Sequence, residues 1–418
     1  MEQILLYAII AIVTAEFLLE RILSHLNGRH MKQPLPEKLK GIYEEDKYEK
    51  SQAYAAVKTR FGLWSSLVGY LFTMGMLLFG GYGWVDQIIS GITTDITLQA
   101  LLFFGVITLL SDVISIPFEL YNVFVIEEKF GFNKMTIGTY LGDKIKGWIL
   151  GALVGGALLS AFIWFYQTNP AYFWAYGWAI FMGFALLMTM FYTNLIVPLF
   201  NKLTPLEDGE LRSAIETYAA GVDFPLKNIM VVDGSKRSTK ANAYFSGLGS
   251  SKNIVLYDTL IEKLSKEEIV AVLAHEVGHY KKKHTLQNIF ITGINMLITL
   301  YLLSLVIDME ALSIALGGRE HKFHLGLLAF SLLYSPLSIL TNLLMYVFSR
   351  KNEYEADEYA TRTSSGIDLI AALKKLTVDS LSNLTPHPAY VFFHYSHPPL
   401  LKRMEAMENV QQTIEKGV

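Results

Sequence analysis

The chain has 418 residues, of which 52% are hydrophobic and only 17% charged, and its mean hydropathy is +0.34. That balance excludes an ordinary soluble domain, in which about a quarter of the residues carry charge. The 35 Lys and Arg are offset by 38 Asp and Glu, so the basic excess of a nucleic-acid binder is missing and no nucleic acid is expected as a partner; with no cysteine there is no disulfide, thiolate metal site or cysteine nucleophile.

In chain order, seven stretches are long and apolar enough to cross a bilayer core of about 30 Å as helices: residues 3–20, 62–83, 98–117, 148–167, 171–196, 289–309 and 326–348. The first lacks the basic flank and small-residue cleavage site of a signal peptide and ends in Glu20-Arg21, so it reads as a retained span. No Lys or Arg falls inside these stretches; 33 lie in the segments on one side of the membrane and 2 on the other. The positive-inside rule then places the N-terminus outside and the C-terminus in the cytoplasm. Acidic groups do fall within spans: Glu16 in the first, and Asp112 and Glu119 at the third, seven apart on one helical face. Such groups are either solvated near the interface or face a water-filled cavity or a partner.

Two cytoplasmic segments are large, residues 201–288 and 349–418, and read as one domain split by a transmembrane hairpin, residues 289–348. Residues 1–200 form an N-terminal membrane region with five spans. Within the first large segment AIETYAAGV reads as a helix, while KNIMVVDG, ANAYFSG and KNIVLYD read as strands bounded by turn formers. Ser265 stands three residues before Glu268, a capping box that opens the helix KEEIVAVLAHEVGHYKKKH. The Lys281-Lys282-Lys283-His284 cluster marks where this helix meets the membrane surface. The expected fold is an α-helical protein of seven transmembrane helices with a cytoplasmic-side α+β domain split by the last hairpin.

The chemistry lies on the capped helix, in His275-Glu276-Val277-Gly278-His279. Spacing of four puts both imidazoles on one helical face, able to grip a single zinc ion, with Glu276 beside the first ligand as general base. A catalytic zinc needs a third protein ligand, and SRKNEYEADEYATR after the seventh span supplies candidates. Glu353 and Asp357 are one helical turn apart, which suits Glu353 as ligand and Asp357 as the group that orients a ligand imidazole. Spacing alone does not separate Glu353 from Glu355 or Glu358. In HYSHPPLLKRM, His397 and Arg403 are candidate donors to the oxyanion of a tetrahedral intermediate, or equally a turn histidine and a surface arginine. His321, His324, His387 and His394 receive no role.

Together AVLAHEVGHYKKKH, Glu353 with Asp357, the SHPPL turn, ANAYFSG and the loop NVFVIEEKFGFNKMT resemble the integral-membrane type I CAAX prenyl endopeptidases, zinc proteases of the kind that mature yeast a-factor and prelamin A. The resemblance covers nearly the whole chain, and the FVIEEKFGFN loop is its most specific part. It implies one zinc per chain on His275, His279 and Glu353, Glu276 as base, and Asp357 behind the ligands. It also implies that Asn242 and Ala243 hold the substrate backbone in extended form, and that His397 and Arg403 stabilise the transition state. A large water-filled chamber within the spans is implied too, which gives Asp112 and Glu119 a setting. The expected substrate is a peptide or protein cut near its C-terminus, prenylated or not, with membrane lipid as the surrounding partner.

Short outer loops, the absence of cysteine and a C-terminus, Glu415-Lys416-Gly417-Val418, without a dilysine retrieval signal lead to the expectation of a bacterial inner membrane, or of the endoplasmic reticulum in a eukaryote. The alternative among proteases is broad membrane-protein quality control, against which seven spans and the FGFN loop count. The non-enzyme alternative is a transporter or receptor with a structural zinc site. No span holds a retinal-type lysine, no paired halves are evident, and a structural zinc has no use for Glu276.

Overall fold

The structure, a computed structural model, describes residues 1–247 and 252–416, so that Gly417 and Val418 of the C-terminal segment lie outside the described residues. Seven helices are long and apolar enough to cross a membrane: Glu2–His30, Glu45–Leu78, Ile96–Phe130, Ile137–Thr168, Phe173–Leu195, His284–Val306 and Phe323–Thr363. They match the seven expected stretches one for one. Most outrun them, because hydropathy marks what lipid covers and not where backbone hydrogen bonding stops.

Three boundaries differ in informative ways. The second helix stops at Leu78, short of the expected residue 83, and Gly80 turns the chain with φ +66 into a separate helix, Gly81–Ser90. That helix is held by a backbone crossing: the Gly83 N–H donates to the Leu316 carbonyl at 3.0 Å, and a Cβ on Gly83 would lie 1.9 Å from the Gly317 oxygen. The third helix continues past the apolar stretch through a wider π-type turn, Asn122–Glu127, to Phe130, where Gly131 takes φ +87. The fourth begins at Ile137, well before residue 148, and so carries Lys144. Lys144 Nζ bridges Asp112 Oδ1 at 3.0 Å and Glu119 Oε2 at 2.9 Å, so both acids have a basic partner on the neighbouring helix.

A four-stranded sheet has the order β1-β2-β4-β3, with β1 Leu203–Pro205, β2 Leu226–Val232, β3 Ala243–Ser246 and β4 Lys252–Tyr257. β2 and β4 are parallel and the other pairs antiparallel. The three expected strands form; β1 is additional to them, and its Pro205 is tolerated because β1 is an edge. One face of the sheet, Ile229, Ile254 and Leu256, packs with Ile269 and Leu273 of the helix Lys266–Lys281. The other face, Val232 and Val255, packs with Val197 just beyond the fifth span. Among the described residues β3 is hydrogen-bonded to β4 alone, which leaves its other edge outermost in the sheet.

The helix Phe323–Thr363 has 41 residues, and at about 1.5 Å per residue it is about twice as long as a bilayer requires. Its second half leaves the apolar stretch without a break and lies along the helix Lys266–Lys281. One rigid element therefore joins the seventh span to the site.

Candidate active site

The helix Lys266–Lys281 is fixed at its start by the expected capping box: Ser265 Oγ accepts from the Glu268 N–H and Glu268 Oε2 accepts from the Ser265 N–H. Lys375 Nζ braces the same carboxylate at 2.8 Å. Ala271 and Ala274 face Ala360 of the seventh-span helix in a buried cluster. Gly278 makes the closest approach, since a Cβ there would stand 3.0 Å from both Cα and carbonyl oxygen of Ala356. The glycine inside the motif thus brings the two helices together and sets His275 and His279 opposite Glu353.

His275 Nε2 and His279 Nε2 are 3.2 Å apart, His279 Nε2 is 3.2 Å from Glu353 Oε1, and His275 Nε2 is 3.4 Å from Glu353 Oε2. A tetrahedral zinc with bonds of about 2.0–2.1 Å holds its ligand atoms about 3.3 Å apart; each of these contacts is close to that length, with Glu353 meeting one imidazole through Oε1 and the other through Oε2. Glu353 Oε2 is buried and faces nitrogen atoms, His397 Nδ1 at 2.7 Å, His275 Nε2 at 3.4 Å and Arg403 Nη1 at 3.6 Å, so this carboxylate oxygen points into the space the two imidazoles share. The donor set fits zinc.

Both ligand imidazoles are held from behind. His275 Nδ1 lies 2.8 Å from Asp357 Oδ1, and Asp357, only 1% exposed, accepts two hydrogen bonds from Arg403, Nε at 2.8 Å and Nη2 at 2.6 Å. Burial opposes protonation of His275, but hydrogen bonds with Asp357 and Glu353 outweigh it and raise its pKa to about 9, so metal uptake displaces a proton there. Burial likewise opposes the charge on Arg403, yet Asp357, followed by Glu353 and Glu276, lifts it above the ordinary arginine value. His279 Nδ1 meets His284 Nδ1 at 2.9 Å, and His284 Nε2 reaches Glu355 Oε2 at 3.1 Å.

The structure separates the three glutamates that spacing left open. Glu353 faces the imidazoles, Glu355 faces His284, and Glu358 turns outward to pair with Arg362 at 2.9 Å. Glu276 is half-buried, near Arg403, and has no side-chain hydrogen bond or ion pair among the described residues, so its carboxylate is free to accept a proton. Arg403 spends two nitrogens on Asp357 and turns Nη1 to within 3.6 Å of Glu353 Oε2, while His397 is 63% exposed at the rim. Asn242 and Ala243 stand at the head of β3, with Asn242 Oδ1 accepting from the Ala243 N–H. Phe245 of β3 meets the ring of Phe224, which in turn meets Tyr280 of the motif helix edge-on in a cluster that includes Val277, so the edge strand is tied to the site through Phe224.

Sequence reasoning missed His284, Glu355 and the role of Gly278. His284 stands five residues from His279, off the helical repeat, and reaches it because Lys283 takes φ +59 and breaks the helix. The expected end of the helix at the lysine cluster is where this break occurs.

Residues 25–202 match the family described as CAAX prenyl protease N-terminal, five membrane helices, and residues 205–411 match peptidase family M48. The rice protein "CAAX prenyl protease 1 homolog" is 36% identical over 98% of this chain and 99% of its own. The chain belongs to peptidase family M48. The human "CAAX prenyl protease 1 homolog" is 34% identical to this M48 protein, covering 90% of this chain and 89% of its own, and "CAAX prenyl protease 1" of Saccharomyces cerevisiae is 32% identical over 95% and 94%. A crystal structure of S. mikatae Ste24p superposes with a TM-score of 0.90 at 32% identity, covering 96% of this chain and 98% of that one. This M48 protein is a multi-pass membrane metalloprotease, with the fold class expected from its sequence. These relatives are eukaryotic, whereas the sequence led to the expectation of a bacterial membrane.

Proposed function

We propose that the chain is a zinc endopeptidase, with one zinc per chain, that cuts CAAX-type peptides or proteins near the C-terminus, prenylated ones included. The observation that carries the reading is the convergence of His275, His279 and Glu353, with imidazole nitrogens and carboxylate oxygens 3.2–3.4 Å apart, next in sequence to Glu276, which is unpaired among the described residues. His275, His279 and Glu353 hold the metal, which when bound polarises the scissile carbonyl and acidifies water. Glu276 takes the proton from the attacking water and returns it to the leaving amine. Asp357 accepts from Nδ1–H of His275 and so keeps Nε2 as the ligand nitrogen. The substrate backbone adds to the free edge of β3 at Asn242 and Ala243, where backbone polar groups align the chain without reading side chains. His397 and Nη1 of Arg403 donate to the carbonyl oxygen as it gains charge.

The same reading gives the domain division as residues 1–200, 201–288 with 349–418, and the hairpin 289–348, with the N-terminus outside and the C-terminus in the cytoplasm. The span windows have only 6–17% of their residues buried, which supports helices standing as staves around a watery chamber. Short outer loops support a bacterial inner membrane and the eukaryotic relatives support the endoplasmic reticulum; cell fractionation decides. The activity is tested on purified protein with a fluorogenic farnesylated CAAX peptide and its unprenylated twin. The expected result is one zinc per chain and cleavage that a chelator abolishes and added zinc restores. Full zinc occupancy with neither peptide cut would overturn the assignment.

A further inference from the structure

The FVIEEKFGFN loop is the most specific segment of the sequence, yet it supplies no group to the reaction. Its Glu127 is 14% exposed and collects three donors: Tyr54 Oη at 2.8 Å and Lys58 Nζ at 3.1 Å on Oε1, and Lys240 Nζ at 3.0 Å on Oε2. Lys58 also donates to Asn122 at 2.7 Å, across the π-type turn that brings Glu127 into place. Lys240 lies 4.4 Å over the ring of Phe132, a buried residue of the same loop, and Tyr54 meets the rings of Phe130 and Phe132 edge-on. The backbones join as well. The Thr239 N–H donates to the Phe132 carbonyl and the Lys134 N–H to the Arg237 carbonyl, both at 3.1 Å, around an antiparallel bridge between Asn133 and Ser238.

The loop is therefore strand-paired to residues 237–239, and its carboxylate is locked to Lys240, two residues before Asn242. Among the described residues β3 is four residues long and is paired with β4 alone. An edge that must accept an incoming strand gains affinity from being held in its bound form beforehand, and a strand this short lacks the pairing to hold itself. We infer that Glu127 is a positioning residue that acts through Lys240 to fix the substrate-binding edge at Asn242 and Ala243, tying it to the second and third membrane helices. The Glu127 carboxylate, shielded and shared by two ammonium groups, holds its partners in place more firmly than a lone surface pair, while Lys58 and Lys240, 37% and 40% exposed, keep much of their own hydration.

The inference rests on β3 being the substrate edge, and its test separates failure of either statement. Glu127→Gln, Lys240→Met and the double variant are compared with wild type for kcat, KM, zinc content and amide hydrogen exchange over residues 241–247. Each single variant is expected to raise KM about tenfold, the size of one charge-assisted contact, with kcat within about twofold and zinc unchanged. Exchange over 241–247 is expected to quicken, the double variant to be no worse than either single one, and Lys240→Arg to restore KM. Unchanged exchange in both single variants, or additive losses in the double, overturns the clamp whether or not any peptide is cut. Faster exchange with KM unchanged shows that the clamp exists but that β3 is not the substrate edge, and so also overturns the positioning role.

Discussion

Gly278→Ala separates the site's geometry from its stability. The added Cβ would meet Ala356 Cα and O at 3.0 Å and Tyr359 Cβ at 3.1 Å, against the 3.4 Å where ordinary contact begins. All three are backbone or Cβ atoms and cannot swing aside, so the motif helix must back away by about 0.4 Å. Overpacking of this kind costs about 1–3 kcal/mol, and alanine recovers about 1 kcal/mol of helix propensity over glycine. The net loss of stability is therefore small. The ligand atoms are affected more, because His275 and His279 ride on the helix that moves and Glu353 on the one that stays. Separations of 3.2 and 3.4 Å between them widen by a shift comparable to the tolerance of about 0.5 Å for a preorganised site. The expected outcome is a zinc dissociation constant raised at least about tenfold in a chelator competition, with the metal-free melting temperature within a few degrees of wild type. Unchanged zinc affinity in a folded Gly278→Ala protein would refute the claim that helix contact at this residue sets the ligand spacing.

Asp357→Asn leaves Arg403 charged, 8% exposed and without its carboxylate, at a cost of about 3–5 kcal/mol read as a lower melting temperature. Adding Arg403→Met to it is expected to recover part of that loss, and a further drop would show that the pair is not coupled. His284→Ala removes the group behind His279 and is expected to weaken zinc binding about 10–100-fold, checked by chelator competition. Ser265→Ala removes the cap of the motif helix and is expected to cost about 0.5–2 kcal/mol, measured by thermal unfolding in detergent.

The features legible in the sequence are those that obey a local period. Seven apolar runs, the Ser265–Glu268 box and the His275–His279 spacing each depend on residues within one or two turns, and each has its counterpart in the structure. The choice among Glu353, Glu355 and Glu358 was not legible, because all three lie on one helix and only the partner helix and His284 tell their faces apart. Gly278 reads as a poor helix former until Ala356 is seen against it. His284 was hidden by the left-handed turn at Lys283, which no periodicity announces. The partner of Asp112 and Glu119 was missed for a different reason. Hydropathy ended the fourth span short of Lys144, while the helix, fixed by the Thr136 cap, began earlier.

The central claim is that Glu276 moves the proton for hydrolysis at a zinc held by His275, His279 and Glu353. Its most direct test is Glu276→Gln, which keeps the size of the side chain and removes its basicity, assayed for zinc content and for cleavage of the farnesylated peptide and its twin. The account predicts one zinc per chain in both proteins and cleavage by wild type alone, with a loss of at least about 100-fold in kcat. A zinc-loaded Glu276→Gln protein that cleaves as fast as wild type would contradict it.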